Sequence, residues 1–153
     1  MDKETGLPKL LIVYYSKTGN TKKMAEAIAQ GAKEYGQVVV VLKTAEEATN
    51  NDLVKAECIV LGSPTYFRLP AWPLKKFIDE SIDIYEKLHT KKGAVFSSAG
   101  DENSGAYCIE ALKNMLEEHG IKIIADGLLI EEEPTKEEIE KCKQFGSSIA
   151  EQL

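Results

Sequence analysis

The sequence predicts an α/β protein built on a doubly wound, five-stranded parallel sheet with helices on both faces. Short apolar runs rich in β-branched residues alternate with longer segments whose apolar positions recur at helical spacing. The runs are continuous rather than alternately polar and apolar, as strands buried on both faces require. Strand and helix alternate five times with no internal repeat or linker, which argues for right-handed crossovers between parallel strands. At 153 residues, a single domain over 1–153 is expected, long enough to bury a hydrophobic core.

The first strand is read from Leu10 to Tyr15. From Thr21, the residues Met24, Ala25, Ile28, Ala29 and Ala32 mark a helix that Gly36 ends, with Gly31 a weak point inside it. Val38 to Leu42 forms the second strand, and a short helix is expected around Asn51 to Lys55. Cys58 to Leu61 makes the third strand, which Gly62-Ser63-Pro64 is expected to close because proline removes a ladder donor. A helix starts near Pro73, with Leu74, Phe77, Ile78, Ile82, Tyr85 and Leu88 as one apolar stripe. Gly93 to Ser97 is the fourth strand, followed by a Gly100–Gly105 loop and a helix marked by Ile109, Leu112, Met115 and Leu116 that Gly120 ends. Ile121 to Ile130, interrupted at Asp126-Gly127, is the fifth strand. Pro134 and Thr135 precede Glu138 in capping-box spacing and open the last helix, with Ile139, Cys142, Phe145 and Ile149 on one face.

Nineteen basic against twenty-five acidic side chains give a net charge of −6, which disfavours nucleic acid as a partner. Three widely spaced cysteines, Cys58, Cys108 and Cys142, sit in apolar runs and read as buried free thiols rather than disulfides or metal ligands. No run approaches the roughly 18 apolar residues of a membrane span, and no basic-then-apolar leader is visible, so no membrane insertion and a cytoplasmic location are expected. His89 and His119 read as charges at helix ends, and Glu131-Glu132-Glu133 as a solvated entry to the last helix.

In an open parallel sheet, ligands bind beyond the carboxyl ends of the strands. The loop Ser16-Lys17-Thr18-Gly19-Asn20-Thr21 places three hydroxyls, an amide and a glycine at the opening of a helix. Unpaired backbone N–H groups and the helix dipole favour a phosphate there. The same residues also fit a plain cap by Thr18, Asn20 or Thr21. A triphosphate loop would need Gly-x-x-x-x-Gly-Lys followed by Ser or Thr, and a dinucleotide loop Gly-x-Gly-x-x-Gly; neither string occurs. A phosphorylation-switched receiver domain would need acids where Tyr14, Tyr15 and Ser16 stand, and a phosphoacceptor aspartate where Leu61, Gly62 and Ser63 stand.

Ser16 to Thr21 after an apolar strand resembles the phosphate loop of flavodoxins. Gly62-Ser63-Pro64-Thr65-Tyr66-Phe67 resembles the second flavin loop, notably that of flavodoxin-like NAD(P)H:quinone oxidoreductases, and Ser97-Ser98-Ala99-Gly100-Asp101 occupies the place of the third. The resemblance spans the chain and is similar to the short-chain class, since the fifth strand carries no long insertion. It implies a strand order of 2-1-3-4-5 and bound FMN, with phosphate on the first loop and the isoalloxazine ring between the other two. The implied cofactor-binding residues are Ser16, Lys17, Thr18, Gly19, Asn20, Thr21, Pro64, Thr65, Tyr66, Phe67, Arg68, Ser97, Ser98, Ala99, Gly100 and Asp101.

Tyr66 or Phe67 is the expected ring contact, by an aromatic stack worth about 0.5–1.5 kcal/mol beyond its area. Trp72 either touches the ring or packs beneath the loop. Flavodoxins commonly carry a glycine after the second-loop aromatic, whose peptide turns its carbonyl toward flavin N5 after one-electron reduction; here Phe67 is followed by Arg68. A guanidinium beside the ring would favour an anionic reduced flavin, whereas one in solvent would do nothing. Asp101 and Glu102 would disfavour that anion if they faced it, and Tyr107 either supplies an outer stacking partner or belongs to the fourth helix. The leading functional reading is an FMN-binding electron-transfer protein with no catalytic acid or base, serving a redox partner protein or a small quinone. The alternative is an NAD(P)H-dependent FMN or quinone reductase using the same site, and a third is a flavin-binding module without turnover.

Overall fold

The structure, a computed structural model, describes residues 2–153. Its central strand β1 (Lys9–Tyr14) lies between β2 (Val39–Thr44) and β3 (Cys58–Tyr66), and β3 pairs in turn with β5 (Lys92–Ala99), all in parallel. Two short segments, β6 (Lys122–Ile123) and β7 (Leu128–Glu131), share the outer side of β5 and together make the fifth strand on either side of Asp126-Gly127. The order β2-β1-β3-β5-β6 is therefore the expected 2-1-3-4-5, once the stub β4 (Leu69–Pro70) is set apart.

Period-two alternation divides the core between the two faces of the sheet. Leu11, Val13, Ile59 and Leu61 point to one face, where they meet Leu74, Phe77, Leu112 and Leu116. Leu10, Ile12, Cys58 and Val60 point to the other and meet Met24, Ile28, Cys142 and Ile149. The first group comes from α3 (Trp72–Glu80) and α4 (Glu102–Glu118), joined on that face by Leu53 of α2 (Asn50–Lys55), and the second from α1 (Asn20–Tyr35) and α5 (Lys136–Glu151). All three cysteines are free and buried, and burial pushes the Cys58 and Cys142 thiols up to about 12, leaving them protonated and inert.

The expected capping box closes, and a second, unanticipated one opens α2. Thr135 caps α5 reciprocally with Glu138, and Thr49 caps α2 with Asp52. Gly31, the apparent weak point in α1, is where α5 comes closest: a β-carbon there would strike the Lys143 carbonyl, and one at Gly146 would strike the Ile28 carbonyl. These two glycines let the helix backbones touch.

Four expectations are corrected. The third strand does not stop at Gly62-Ser63-Pro64 but runs to Tyr66, with Pro64 opposite Ser98 of β5. The Gly62 carbonyl faces β1 and receives Tyr15 N–H, so by alternation the missing donor of Pro64 also faces β1, which has already ended at Tyr14. The third helix is not continuous to Leu88. It gives way to a 3-10 segment, Ser81–Lys87, where the Ser81 hydroxyl donates to the Ile78 carbonyl, and Ile82 and Tyr85 of the predicted stripe face solvent. The Gly100–Gly105 loop is instead the first turn of α4, capped by the Asp101 carboxylate accepting from Ser104 N–H at 2.8 Å. His119 is not a surface charge but is buried against Ser81, its Nε2 2.7 Å from the Ser81 hydroxyl. Because that hydroxyl already donates to Ile78, His119 Nε2 is the donor in the pair.

Gly31→Ala should lower stability by about 1–3 kcal/mol, because overpacking against α5 outweighs the gain in helix propensity; urea unfolding at pH 7 checks it, and a more stable variant would contradict the packing argument. For Asp52, partial burial acts to raise the carboxyl, but Lys43 Nζ at 3.0 Å and the N–H and hydroxyl of Thr49 outweigh it and hold the group below the usual carboxylate range. A lowered folded value means the stabilisation is present above the unfolded value of about 4 and is lost as pH falls through the folded one. The stability gap between wild type and Asp52→Asn should accordingly be largest near neutrality and close on acidification, as read from urea midpoints across a pH series.

Candidate functional site

Because β1, β3 and β5 are parallel, their carboxyl ends open on one edge of the sheet. A cleft of about 490 Å³ lies there, walled by Thr18 and Asn20 from the first loop, Pro64, Thr65 and Tyr66 from the second, and Ser98, Ala99 and Gly100 from the third. Those eight belong to the sixteen residues that sequence reasoning assigned to a cofactor. The other eight lie outside the cleft wall, and most of them have identifiable supporting roles.

In the first loop the helix is capped by neither Thr18, Asn20 nor Thr21. Gly19 is the N-cap residue, at φ 105°, with no side-chain cap. Only glycine adopts that conformation without cost, and a β-carbon there would meet no atom within 4 Å, so the requirement is conformational and not steric. Ser16 organises the turn instead: its hydroxyl accepts from Gly19 N–H at 3.2 Å and from Lys22 N–H at 3.1 Å. The Thr18 hydroxyl and Asn20 amide are thereby left facing the cleft, and the N–H groups of Asn20 and Thr21, the first two helical residues, have no carbonyl within the helix to receive them. Thr21 itself turns inward, its buried hydroxyl 2.7 Å from that of Ser98. Lys17 is exposed and does not line the cleft.

The second and third loops are tied by another hydroxyl chain. Ser97 donates to the Ser63 carbonyl at 2.7 Å, so Thr65, 2.9 Å away, donates to Ser97. Ser97 is fully buried and serves the wall from behind. Beyond Tyr66 the chain reverses in a two-residue hairpin that sequence reasoning missed: Tyr66 pairs with Leu69 and Thr65 with Pro70, and both turn residues, Phe67 and Arg68, have positive φ (51° and 68°). No Asn-Gly or Asp-Gly marks this turn.

Of the two candidate ring contacts, Tyr66 stands at the cleft, 39% exposed, whereas Phe67 points away, 100% exposed at the hairpin tip. Burial and the neighbouring Tyr15 push the Tyr66 phenol above its usual range, keeping it neutral. Trp72 neither reaches the cleft nor packs beneath the loop; it is the first residue of α3 and 71% exposed. Arg68 does not line the cleft; it is exposed, with its guanidinium laid over a neighbouring ring. Its guanidinium carbon lies 4.7 Å from the centre of the Tyr107 ring, and Tyr107 belongs to α4.

The acids of the cleft are not those anticipated. Asp101 is occupied as the α4 cap, and the carboxylates lining the cleft are Glu132 and Glu133. They are exposed, as a solvated helix entry should be, and also make long-range contacts: Glu132, at φ 57°, donates its N–H to the Ala99 carbonyl at 2.8 Å, and Glu133 pairs with Lys23 of α1. Only the strand order, which sets β7 beside β5, brings this loop to the site, and no local signal announces it. A larger cleft of about 570 Å³ lies between the 3-10 segment and α4, around Ile78, Ile82, Tyr85 and Met115, but its two carboxylates, Asp79 and Glu118, disfavour a phosphate.

The Flavodoxin family model matches residues 12–146. The chain belongs to the flavodoxin family. A flavodoxin of Aquifex aeolicus is 35% identical over 94% of this chain and 85% of its own, and one of Clostridium saccharobutylicum is 30% identical over 93% and 95%. A solved flavodoxin from the domain Archaea superposes with a TM-score of 0.85 at 33% identity, covering 94% of this chain and 97% of that one. The protein is thus an FMN-binding electron-transfer protein, and these relatives do not favour the NAD(P)H-dependent reductase. Among the described residues no helix is long and apolar enough to cross a membrane. The residues present fit the cofactor: the donors at the first loop are hydroxyl, amide and N–H groups suited to a phosphate monoester, and an aromatic wall stands beside them.

Ser16→Ala removes the acceptor for two N–H groups and should loosen the turn. An expected loss of about 1 kcal/mol in urea unfolding would be accompanied by faster amide exchange at Gly19 and Lys22; unchanged exchange would deny Ser16 this role.

Proposed function

We propose that Thr18 and Asn20, with the N–H groups that open α1, hold the FMN phosphate, and that the ring lies between the Pro64–Tyr66 and Ser98–Gly100 walls with Tyr66 against its face. Ser16, Gly19, Thr21 and Ser97 shape this cleft rather than touch the cofactor. The observation that carries the reading is that Ser16 relieves Thr18 and Asn20 of capping, leaving two polar side chains and a helix end turned into the cleft.

Bound FMN supplies reversible electron uptake, and the protein sets the environment in which it occurs. Tyr66 excludes water from one side of the ring, and its neutral phenol adds no charge there. Glu132 and Glu133 place negative charge on the same cleft, which disfavours a further anion; the Lys23 ammonium offsets part of this.

The physiological partner on this reading is a redox protein, in preference to a small quinone, because Phe67, Leu69 and Trp72 expose apolar surface around the hairpin beside the cleft. The chain works as one flavodoxin domain over 1–153, in the cytoplasm.

Thr18→Ala/Asn20→Ala should raise the FMN dissociation constant at least about tenfold while changing folding stability by less than about 0.5 kcal/mol. Fluorescence titration with FMN and urea unfolding read the two effects, and unchanged affinity would overturn the assignment. Stepwise anaerobic reduction of the FMN-loaded protein should resolve two one-electron waves with no turnover when NADPH and a quinone are added. Rapid NADPH-dependent turnover would displace the carrier in favour of a reductase.

A further inference from the structure

The hairpin beyond Tyr66 ought not to be well ordered on its own account. It has two residue pairs, Thr65 with Pro70 and Tyr66 with Leu69, and an isolated hairpin of that length has little stability in water. Its turn sets two residues with β-carbons, Phe67 and Arg68, in the left-handed region, where non-glycine residues carry a cost. Phe67 contributes nothing in return, since its side chain is 100% exposed. The foot of the hairpin is anchored, because Ala71 N–H donates to the buried Ser63 hydroxyl at 2.8 Å. What holds the tip is Arg68, whose guanidinium lies over the Tyr107 ring at 4.7 Å, within cation–π range. The Asp101 carboxylate assists from the α4 N-terminus: it is held below the usual carboxylate range first by Ser104 N–H and further by attraction to Arg68.

The geometry assigns Arg68 the role of a positioning residue: clamped on Tyr107, it holds the hairpin tip against α4, stands Tyr66 upright at the cleft wall and fixes the Phe67–Arg68 peptide in its left-handed turn. This rests on the reading that FMN occupies the cleft beside Tyr66. Arg68 acts through Tyr107, not by placing its charge on the ring, since it does not line the cleft. The turn is therefore shaped before any cofactor arrives, and an aromatic ring on a neighbouring helix does the work that glycine's freedom would otherwise do.

A double-mutant cycle tests this with Arg68→Ala, Tyr107→Ala, their combination, and the conservative variants Tyr107→Phe and Arg68→Lys. Two quantities are read on each full-length variant: amide exchange over 67–69 without FMN, and the FMN dissociation constant. A clamp of ordinary cation–π strength predicts that each alanine variant speeds exchange and weakens FMN binding about twofold to fivefold, with the double variant no worse than either single one. Tyr107→Phe, which keeps the ring face, restores both readouts. Additive effects in the double variant, or wild-type values for Tyr107→Ala while Arg68→Ala is impaired, would overturn the clamp. If the wild-type chain does not bind FMN, the cofactor assignment falls separately, and the exchange data on the FMN-free chain still decide whether Arg68 and Tyr107 hold the hairpin.

Discussion

Two buried hydroxyl contacts hold the open edge of the sheet together. Thr21 and Ser98 lie 2.7 Å apart, joining the first turn of α1 to the end of β5, and Ser97 links back to β3 through the Ser63 carbonyl and Thr65. A buried hydroxyl without a partner costs about 1–3 kcal/mol, so neither loop can shift without breaking its neighbour's hydrogen bond. The three loops are thus one rigid wall, not three flexible segments, although parallel strands leave their ends otherwise unsupported. Ser16 performs the complementary service at the front: by taking two N–H groups of the turn, it frees Thr18 and Asn20 for a ligand. The residues behind the wall and those on it are different, and both sets are hydroxyl-rich because the same chemistry serves support and recognition.

Elements defined by local chemistry were legible in the sequence. The capping box at Thr135 and the apolar strand runs appear where their patterns place them, and Gly36 ends α1 as its position suggests, though at φ 81°, ψ −169° and not in the αL region, since each depends on neighbours within a few residues. The Ser16–Thr21 turn was legible as the opening of α1 for the same reason. What escaped was decided by partners distant in the chain. Pro64 stays in its strand because β1 has ended beside it, Ser81 breaks a helix whose stripe looked continuous, and Glu132 reaches the cleft only through the placing of β7 beside β5. Thr21 shows the limit from the other side: the residue was placed at the opening of α1, where it lies, but its side chain turns to Ser98, which no spacing rule reveals.

The charge on the cleft wall is acidic and comes from one side. The first loop offers donors without a cation facing the ligand, while Glu132 and Glu133 stand nearby with Lys23 as counterion. On the proposed reading such a site would hold a phosphate by directed hydrogen bonds and a helix end, a geometry that discriminates by shape more than by long-range attraction. A net charge of −6 has the opposite tendency at a distance, slowing the approach of an anion. Once the anion arrives, directed donors in a sheltered cleft lose less to screening than an exposed lysine would.

The most consequential departure from the family's usual pattern is the replacement of a glycine by Arg68. Glycine is permissive because it stabilises no particular geometry, so a peptide beside it turns easily. Phe67 and Arg68 reach the same left-handed region at a cost, and a costly conformation persists only where surrounding contacts over-determine it. Here those contacts are a ladder of two pairs, the Ser63 anchor at the foot and the Tyr107 ring at the tip. The hairpin therefore resists reorientation in proportion to what holds it.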